Sequence, residues 1–441
     1  MKWLLGILVA VVVLVAVAAA VPFFVSLDDY VPRIEKEASN RLTEPVTVGK
    51  IRLSALPLPH VTIDGIAVGK GGDLTVGKVT VTPDLMSLLS STKVIRSIEI
   101  DGLVLTQKAI EKIPAWAKQD AASSAPPPVR IGGVRLDGTI VKLGAGTFGP
   151  FDAKVNLDDN GAPADVALTT RDGKLKALVK PDKSSYRITA NAKGWKVPVG
   201  PPIVFDELDV EGVATTAEAT FSRISAKLHG GKAAGKVSVG WQKGLQLKGT
   251  LDIHQVDLKT LVPLLAPGTR VGGKLDAKPV FSASAKDAGG LMNALRLSTP
   301  FDVRNGVLHG FDLQKAASTF GKQGASEGET RFDQLSGRLA IEQSAYKLTQ
   351  LRIGAGAYGA EGNVGISAKK DLSGRVNAQV KALGTSTVVP LNVAGTVQSP
   401  MVLPTGGAMA GAAIGTAILP GLGTGVGAKA GQMIEGLFGK K

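Results

Sequence analysis

Apolar and polar residues alternate with a period of two through most of this chain, from residue 46 to residue 397. Clear examples are Ile98-x-Ile100 and Leu351-x-Ile353. Because successive side chains of a β-strand point to opposite faces, this pattern predicts short strands that are each buried on one face. The chain is therefore expected to be mainly β, with one apolar face and one wet face on its antiparallel sheet.

The composition limits how such a sheet can be filled and closed. Only 5% of the 441 residues are aromatic, so the interior must consist of Val, Leu, Ile and Ala. There are 55 glycines and 24 prolines, which predicts many turns. Cysteine is absent, which excludes disulfides, thiolate chemistry and cysteine-bound metal.

Four Asp-Gly pairs recur along the first part of the chain, each flanked by alternating apolar residues. They begin at Asp64, Asp101, Asp137 and Asp172, with spacings of 35 to 37 residues. Asp-Gly is a preferred pair for the positive-φ positions of a type I′ hairpin turn. The pairs therefore predict hairpin turns in a repeating β unit, although a glycine-rich chain could also produce such spacing by chance.

A few short helices are expected between the strands. Pro32 lies where a helix would begin, and Ile34, Ala38 and Leu42 follow at helical spacing. Further short helices are predicted over 84–90, 258–265 and 312–320.

An apolar segment of 23 residues, 3–25, carries no charge and follows Lys2. A helix of that length spans about 34 Å, enough for the roughly 30 Å core of a bilayer. Lys2 before the segment, and Asp28 and Asp29 after it, place the N-terminus in the cytoplasm and the bulk of the chain in the periplasm. The alternative is a signal peptide cleaved near Ala18-Ala19-Ala20, although its apolar part is usually shorter. We expect a retained single-pass anchor in an inner membrane.

Two stretches resemble the AsmA family of Gram-negative bacteria. The first is the N-terminal run that includes IRLSALPLPHVTIDGIAVG and LMSLLSSTKVIRSIEIDGLVLTQ, which ends at residue 107. The second comprises FDVRNGVLHGFDLQKA, TRFDQLSGRLAIEQSAYKLTQLRIGAGAYGAEGNVGIS and VPLNVAGTVQSPMVLPT, within 301–405. One departure is Asn40-Arg41, where members commonly carry Gly-Arg. The part between the two stretches matches only in its β character.

The resemblance implies a role in outer-membrane biogenesis. It also implies kinship with chorein-like bridge proteins, whose bent, open sheet forms a groove that shelters lipid acyl chains. The domains expected on this basis are an anchor at 1–25, an N-terminal β module at 26–120, a linker or insertion at 121–128, middle β repeats at 129–270, a C-terminal β module at 271–405 and a glycine-zipper tail at 406–441.

The physical chemistry of the residues suits such an elongated, repeating groove. Moving a 16-carbon acyl chain into water costs about 13 kcal/mol, at roughly 0.8 kcal/mol per CH₂, so a lipid needs a continuous apolar surface. The alternative is that the apolar face packs on itself as a closed sandwich or barrel core. The residues expected to line the groove are Ile98, Ile100, Leu103, Leu105, Leu339, Ile341, Leu351 and Ile353.

The formal net charge is +14. The lysines are scattered singly rather than gathered in blocks with aromatic residues, so nucleic acid is not an expected partner. They form either a solubilising outer face or a surface that attracts anionic lipid, at roughly 1 kcal/mol per well-placed cation.

The last 36 residues, 406–441, differ in character from the strands before them. Small residues at four-residue spacing let two helices approach closely, which predicts a hairpin of two short helices that turns at Pro420-Gly421. This hairpin would dip into a membrane and could anchor the distal end of the groove at the outer membrane; the alternative is a flexible tail. The glycines concerned are Gly407, Gly411, Gly415, Gly423, Gly427 and Gly431.

No pattern in the sequence predicts catalysis, a cofactor or a metal site. Two G-x-G-x-x-G motifs, at 144–149 and 354–359, run into strand patterns rather than the helix that a dinucleotide site needs. The four histidines lie far apart, and the adjacent acids Asp158-Asp159 and Asp206-Glu207 would point to opposite faces of a strand. We therefore expect a protein that is not an enzyme.

Two functions of different classes remain open from the sequence. The first is sheltering or transferring phospholipid between membranes along the groove. The second is a scaffold that binds other envelope proteins without carrying lipid. The expected partners are thus phospholipid acyl chains, the two membranes, and other envelope proteins.

Overall fold

A computed structural model describes the chain from Tyr30 to Thr405 with short gaps. The described residues are 30–54, 58–90, 92–112, 129–143, 146–158, 161–198, 200–242, 244–318, 328–382 and 385–405. They are mainly β, with a long antiparallel sheet and few short helices, as the alternation predicts.

The described residues divide into two compact units. Unit 1 holds 30–200, 207–223 and 287–289, and unit 2 holds 201–206, 224–286 and 290–405. Residues on both sides of 270 belong to unit 2. The predicted linker, 121–128, lies outside the described residues.

Unit 1 is built from consecutive strands. These are β1 (Val46–Ser54), β2 (His60–Val68), β3 (Leu74–Pro83), β4 (Lys93–Asp101), β5 (Val104–Thr106), β6 (Val129–Ile131), β7 (Gly133–Leu143), β8 (Gly146–Leu157), β9 (Pro163–Thr170), β10 (Leu175–Asp182) and β11 (Ser185–Lys196). Two further strands, β12 (Val204–Ala214) and β13 (Glu218–Leu228), lie where the chain passes between the units.

Unit 2 continues the same kind of strand. Its strands are β14 (Gly231–Gly240), β15 (Leu245–Asp257), β16 (Val271–Ala277), β17 (Val280–Ala285), β18 (Arg296–His309), β19 (Glu329–Glu342), β20 (Ala345–Ala355), β21 (Tyr358–Ile366), β22 (Leu372–Ala382), β23 (Thr385–Gly395) and β24 (Pro400–Pro404).

Neighbouring strands pair antiparallel, with one departure from the predicted topology in unit 1. Strand β4 pairs with β6 and β7 in parallel, and β5 also pairs with β7 in parallel. Parallel neighbours cannot be joined by a two-residue hairpin and need a longer crossover connection. The sheet is therefore antiparallel on each side of a parallel junction, which the strand pattern alone did not reveal.

The helices are short. Helix α1 (Val31–Leu42) begins with a proline in its first turn and ends at Thr43 in the left-handed region, as the sequence indicates. Residues 107–112 are helical (α2), Leu85–Leu89 form a 3-10 helix, and α3 (Leu258–Leu265) and α4 (Leu313–Ser318) belong to unit 2. Lys112 on α2 lies 2.7 Å from Glu44 and 2.9 Å from Asp73, and these hydrogen bonds raise the pKa of Lys112.

Three of the four predicted Asp-Gly hairpin turns are not turns. Only Gly173 connects two strands as a hairpin, between β9 and β10. Gly65, Gly102 and Gly138 also have positive φ, but they lie inside β2, directly after β4 and inside β7. The prediction was wrong because a distorted strand needs a positive-φ glycine just as a type I′ turn does.

These glycines form a row across unit 1. The register of β1, β2 and β3 sets Gly65 opposite Gly49 and Gly77, and the Cα of Gly77 lies 3.8 Å from the position of a Cβ on Gly102. A Cβ on Gly49 would lie only 2.6 Å from the carbonyl oxygen of Asp64. Glycines at one level of successive strands let the backbones approach closely there, which is what the Asp-Gly pairs at 64–65 and 101–102 do.

The localisation predicted from the sequence is corrected here. Among the helices between Tyr30 and Thr405 that the structure describes, none has both the length and the apolar character to cross a bilayer. The single-pass inner-membrane localisation is therefore not retained. The residues of the predicted anchor, 1–25, lie outside the described residues.

Candidate functional site

The sheet of unit 2 presents a continuous apolar face. Directly opposed residues of neighbouring strands point to the same side of a sheet, so the register identifies this face. One row across β18 to β22 runs Leu297, Ile341, Tyr346, Ile366, Leu372. A second row across β18 to β23 runs Val303, Leu335, Ile353, Ala360, Ala378, Val389.

Between these rows lie Leu339, Leu348 and Val364, opposed in the same way. We call the two rows and these three residues the apolar face. All members of the first row, and the three residues between the rows, are partly exposed. A face fully covered by a second layer would bury such side chains, so these residues keep part of their surface accessible to solvent.

A bulge in β20 keeps the apolar face continuous. Leu348 and Leu351 share one face although they are three residues apart, because the register with β21 shifts between them. Gln350 within the bulge has a φ of 53°, and its backbone N–H donates to the side-chain oxygen of Asn363 at 2.9 Å. The structure thus brings the four predicted groove residues of this region, Leu339, Ile341, Leu351 and Ile353, onto one face.

Glycines show how closely the backbone is packed on the apolar face. A Cβ on Gly362 would collide with the carbonyl oxygen of Arg375, and one on Gly374 with that of Asn363. Gly374 is opposed to Val364 of the apolar face, and Gly362 is opposed to Leu351 and Val376, which point to the same side. On the other face, a Cβ on Gly354 would meet nothing within 4 Å. At Gly362 and Gly374 the neighbouring strands therefore approach too closely on this side for any residue but glycine.

Helix α4 covers one end of the apolar face. Leu313, which is 2% exposed, packs in a cluster with Ala378, Val389 and Leu391. Ile353 is partly buried against the same cluster. The backbone N–H of Leu313 donates to the hydroxyl of Thr330, which holds the start of the helix in place. The apolar face is therefore closed near α4 and open toward the row that contains Ile341.

The opposite face of the same strands is polar. Its residues include Arg338, Lys347, Arg352, Glu361 and Arg375, all exposed. Arg352 is opposed to Glu361 in the register of β20 and β21. The sheet of unit 2 thus has one wet face, as the sequence predicts, and one apolar face that is only partly covered.

The four groove residues predicted in unit 1 have a different environment. Ile98, Ile100, Leu103 and Leu105 are between 0% and 3% exposed. They belong to a closed core with residues from β1 to β9, and Ile34, Ala38 and Leu42 of α1 pack on that core. Ala109 of α2 is fully buried there as well. In this structure these four residues have no free surface for an acyl chain, so placing them in an open groove is corrected.

Among the described residues, no cluster of His, Asp and Glu could hold a metal ion. His254 lies 3.0 Å from Asp252 and 3.4 Å from Asp276 on an exposed surface, while His229 lies 2.9 Å from the hydroxyl of Thr260. The parts of the G-x-G-x-x-G motifs that the structure describes lead into β8 and β21 rather than into helices.

One carboxyl of unit 1 titrates unusually. Loss of solvation raises the pKa of Asp137, and the nearby carboxylates of Asp152, Asp101 and Glu99 raise it further, while Arg135 lowers it. Because the folded pKa lies above the ordinary value, the group contributes stability below about pH 4 and loses it as the pH rises through the folded pKa. Deprotonated Asp137 is thus unfavourable at neutral pH.

Replacing Asp137 by Asn should therefore raise the melting temperature of unit 1 at pH 7. The amide keeps the shape of the side chain and removes the charge beside Asp101 and Asp152. Melting curves of both proteins at pH 7 and at pH 3 would test this, since the difference should disappear where the carboxyl is protonated. An equal gain at both pH values would show that charge is not the cause.

The glycines predicted to pack the tail helices, between Gly407 and Gly431, lie outside the described residues. Comparison of the chain with protein-family models, with curated proteins and with solved structures finds no match in any of the three. The resemblance to the AsmA family therefore stays a prediction from the quoted residues.

Proposed function

We propose that this protein is not an enzyme and that it shelters phospholipid acyl chains on the apolar face of unit 2. In this role it moves or holds lipid between two membranes. The observation that carries the proposal is the row from Leu297 to Leu372, which crosses five strands and is apolar and partly exposed throughout.

The energy of lipid transfer supports this use of the face. Exposing an acyl chain to water costs about 0.8 kcal/mol of free energy per CH₂. Even a partly covered aliphatic surface therefore binds such a chain favourably. Unpartnered apolar surfaces on monomeric proteins are commonly binding sites. The residues of the face are aliphatic, apart from Tyr346, and bear no charge that an acyl chain would have to desolvate.

The glycines and the bulge of unit 2 favour a groove rather than a flat surface. Gly362 and Gly374 leave no room for a Cβ on the apolar side, and the bulge at Gln350 adds local twist. A sheet bent toward its apolar face encloses an acyl chain on more than one side, which increases the area that the chain buries. The resemblance to the AsmA family favours the same groove, and with it a role in outer-membrane biogenesis.

The second candidate function is a scaffold for envelope proteins. The exposed Met401 and Leu403 on β24, a strand that pairs only with β23 in the described part of unit 2, favour it. A strand with one unpaired edge can add a strand from another protein.

Photo-crosslinking within cells separates the two functions. A photo-reactive amino acid at Leu348 faces the apolar side, and the same residue at Lys347 faces the polar side of the same strand. We expect phospholipid adducts at 348 and none at 347, read by mass spectrometry of the purified chain. Protein adducts at 348 without lipid adducts would favour the scaffold and refute lipid sheltering.

A further inference from the structure

Two hairpin tips project side by side from one end of unit 1. The register opposes Leu53 of β1 to Val61 of β2, and Val61 to Val81 of β3. The connection from β1 to β2 and the connection from β3 to β4 therefore leave the sheet at the same end. We call the described residues of these connections and their flanks, 53–54, 58–60, 84–90 and 92–93, the paired tips.

The paired tips expose an unusual amount of aliphatic side chain. Met86 is 82% exposed and Leu89 is 92% exposed. Leu53, Leu58 and Leu85 are between 40% and 48% exposed. Of the other large apolar residues that the structure describes in unit 1, only Val213 is comparably exposed. Scattered single exposures are ordinary, but five at one end of a unit indicate a binding surface.

The second tip is held in shape by its own hydrogen bonds. Ser87 is buried, its hydroxyl donates to the backbone oxygen of Asp84 at 2.6 Å, and it accepts from the backbone N–H of Val94 at 2.8 Å. The carboxylate of Asp84 accepts from the backbone N–H of Met86. Side chains three residues apart in a 3-10 helix are eclipsed, so Met86 and Leu89 project on the same side.

Cations flank the apolar tips. Lys93 begins β4, its partner in the register is Val129, and the next pair joins Val94 to Arg130. Arg96 lies three residues after Lys93 on β4, and its Nη2 is 3.6 Å from a carboxylate oxygen of Asp84. These three cations lie on β4 and β6 beside the second tip, whereas the carboxylates of Asp158 and Asp165 lie at the same end on the connection from β8 to β9 and on β9.

We propose that the paired tips dock unit 1 on the surface of an anionic lipid bilayer, with Met86 and Leu89 inserted among the acyl chains. Shallow insertion of a few aliphatic side chains, supported by cations at the level of the phosphates, is a sufficient membrane contact. A protein partner would instead need about 800 Å² of complementary surface on each side, so it is the alternative that the test below must separate from a bilayer. This docking is separate from the sheltering of lipid by unit 2, and either can fail without the other.

The absence of cysteine makes the test direct. The variants Met86→Cys and Leu89→Cys, each in the full chain, can be labelled at one site with an environment-sensitive NBD fluorophore. Lys70→Cys is the matched control, because Lys70 is exposed in the connection from β2 to β3 at the opposite end of the sheet. The label reports its own surroundings, so the result does not depend on what else in the chain binds the vesicle.

With vesicles that contain about 30% phosphatidylglycerol, we expect NBD emission at 86 and 89 to rise about threefold and shift to the blue, with no change at 70. Nitroxide-labelled lipid should quench the NBD emission at 86 and 89 and leave the emission at 70 unchanged. Vesicles of phosphatidylcholine alone should give a smaller rise. Emission at 86 and 89 that stays water-like while the chain floats with the vesicles would overturn the proposal.

A second measurement tests whether the tips contact another copy of this chain instead of a bilayer. If emission at 86 and 89 rises with protein concentration in the absence of vesicles, the tips contact a second copy and the proposal is wrong. The variant Met86→Ser/Leu89→Ser, labelled at Leu58→Cys, should lose most of the vesicle response. Both side chains are exposed, so the fold should be unaffected, which an unchanged melting curve would establish.

Discussion

Replacing Ile100 by Asp should unfold the strand core of unit 1. Ile100 is 1% exposed and is opposed to Val79 on one side and Leu136 on the other. A carboxylate there has no cation to pair with and no water to solvate it, which costs several kcal/mol or more. Domain stabilities are only about 5–15 kcal/mol, so most of the folded population should be lost.

Hydrogen exchange followed by mass spectrometry would measure this unit by unit. Peptides from β1 to β4 should lose protection in the Ile100→Asp variant, while peptides from β19 to β22 keep theirs. The control is Ser97→Asp on the same strand, since Ser97 is opposed to Thr82 and lies outside the closed core. If Ile100→Asp keeps full protection in β1 to β4, the core of unit 1 is more open than the structure shows.

Alternation in the sequence predicts that a strand has one dry face, but it does not say what covers that face. Ile98 and Ile100 on β4, and Leu339 and Ile341 on β19, follow the same pattern. The first pair is buried beneath helices and neighbouring strands, and the second pair is partly exposed. The period of two depends only on which side of the sheet each residue faces, so both environments give the same alternation of apolar and polar residues.

The covering helix of unit 1 illustrates which part of the fold was predictable. The spacing of Ile34, Ala38 and Leu42 predicts α1 and its apolar stripe, and the structure confirms both. The place where that stripe packs depends on contacts far apart in sequence. Val48, for example, donates its backbone N–H to the carboxylate of Glu35 at 2.7 Å, a contact that no local pattern announces.

The Asp-Gly pairs were wrongly predicted to be hairpin turns for a related reason. A positive φ is the shared requirement of a type I′ turn and of a distorted strand, and the Asp-Gly pair satisfies both. Gly173 meets it in a turn, whereas Gly65 and Gly138 meet it within strands. Only the neighbouring strands decide between the two. For Gly65 they supply Gly49 on β1 and Gly77 on β3, which have no side chain at that level of the sheet.

The bulge in β20, by contrast, has a signal in the sequence. The sequence places Leu351 and Ile353 in one alternating pair, and Tyr346 and Leu348 in another that is out of phase with it. A single strand cannot hold both pairs on one face unless a residue is inserted between them. The register shift at Gln350 is that insertion, so the change of phase in the sequence already contained the signal for it.

Replacing Ile341 by Asp should abolish lipid capture by unit 2 while leaving it folded. Ile341 is partly exposed, so a carboxylate at this position stays hydrated in the empty protein and costs little stability. An acyl chain that lies along Leu297, Ile341 and Tyr346 would have to dehydrate that charge. Phospholipid bound per chain should therefore fall about tenfold or more, since each 1.4 kcal/mol is worth a factor of ten.

The neighbouring residue supplies the matched control for this variant. Ala340 is opposed to Ser298 and Lys347 on the polar face, so Ala340→Asp adds the same charge to the same strand on the wet side. Lipid bound to the full chain, measured by native mass spectrometry after extraction without detergent, should be unchanged in that variant. Hydrogen exchange of β18 to β22 should match the parent in both variants. Equal lipid loss in Ile341→Asp and Ala340→Asp would contradict sheltering on the apolar face, because only one of the two charges lies where an acyl chain would bind.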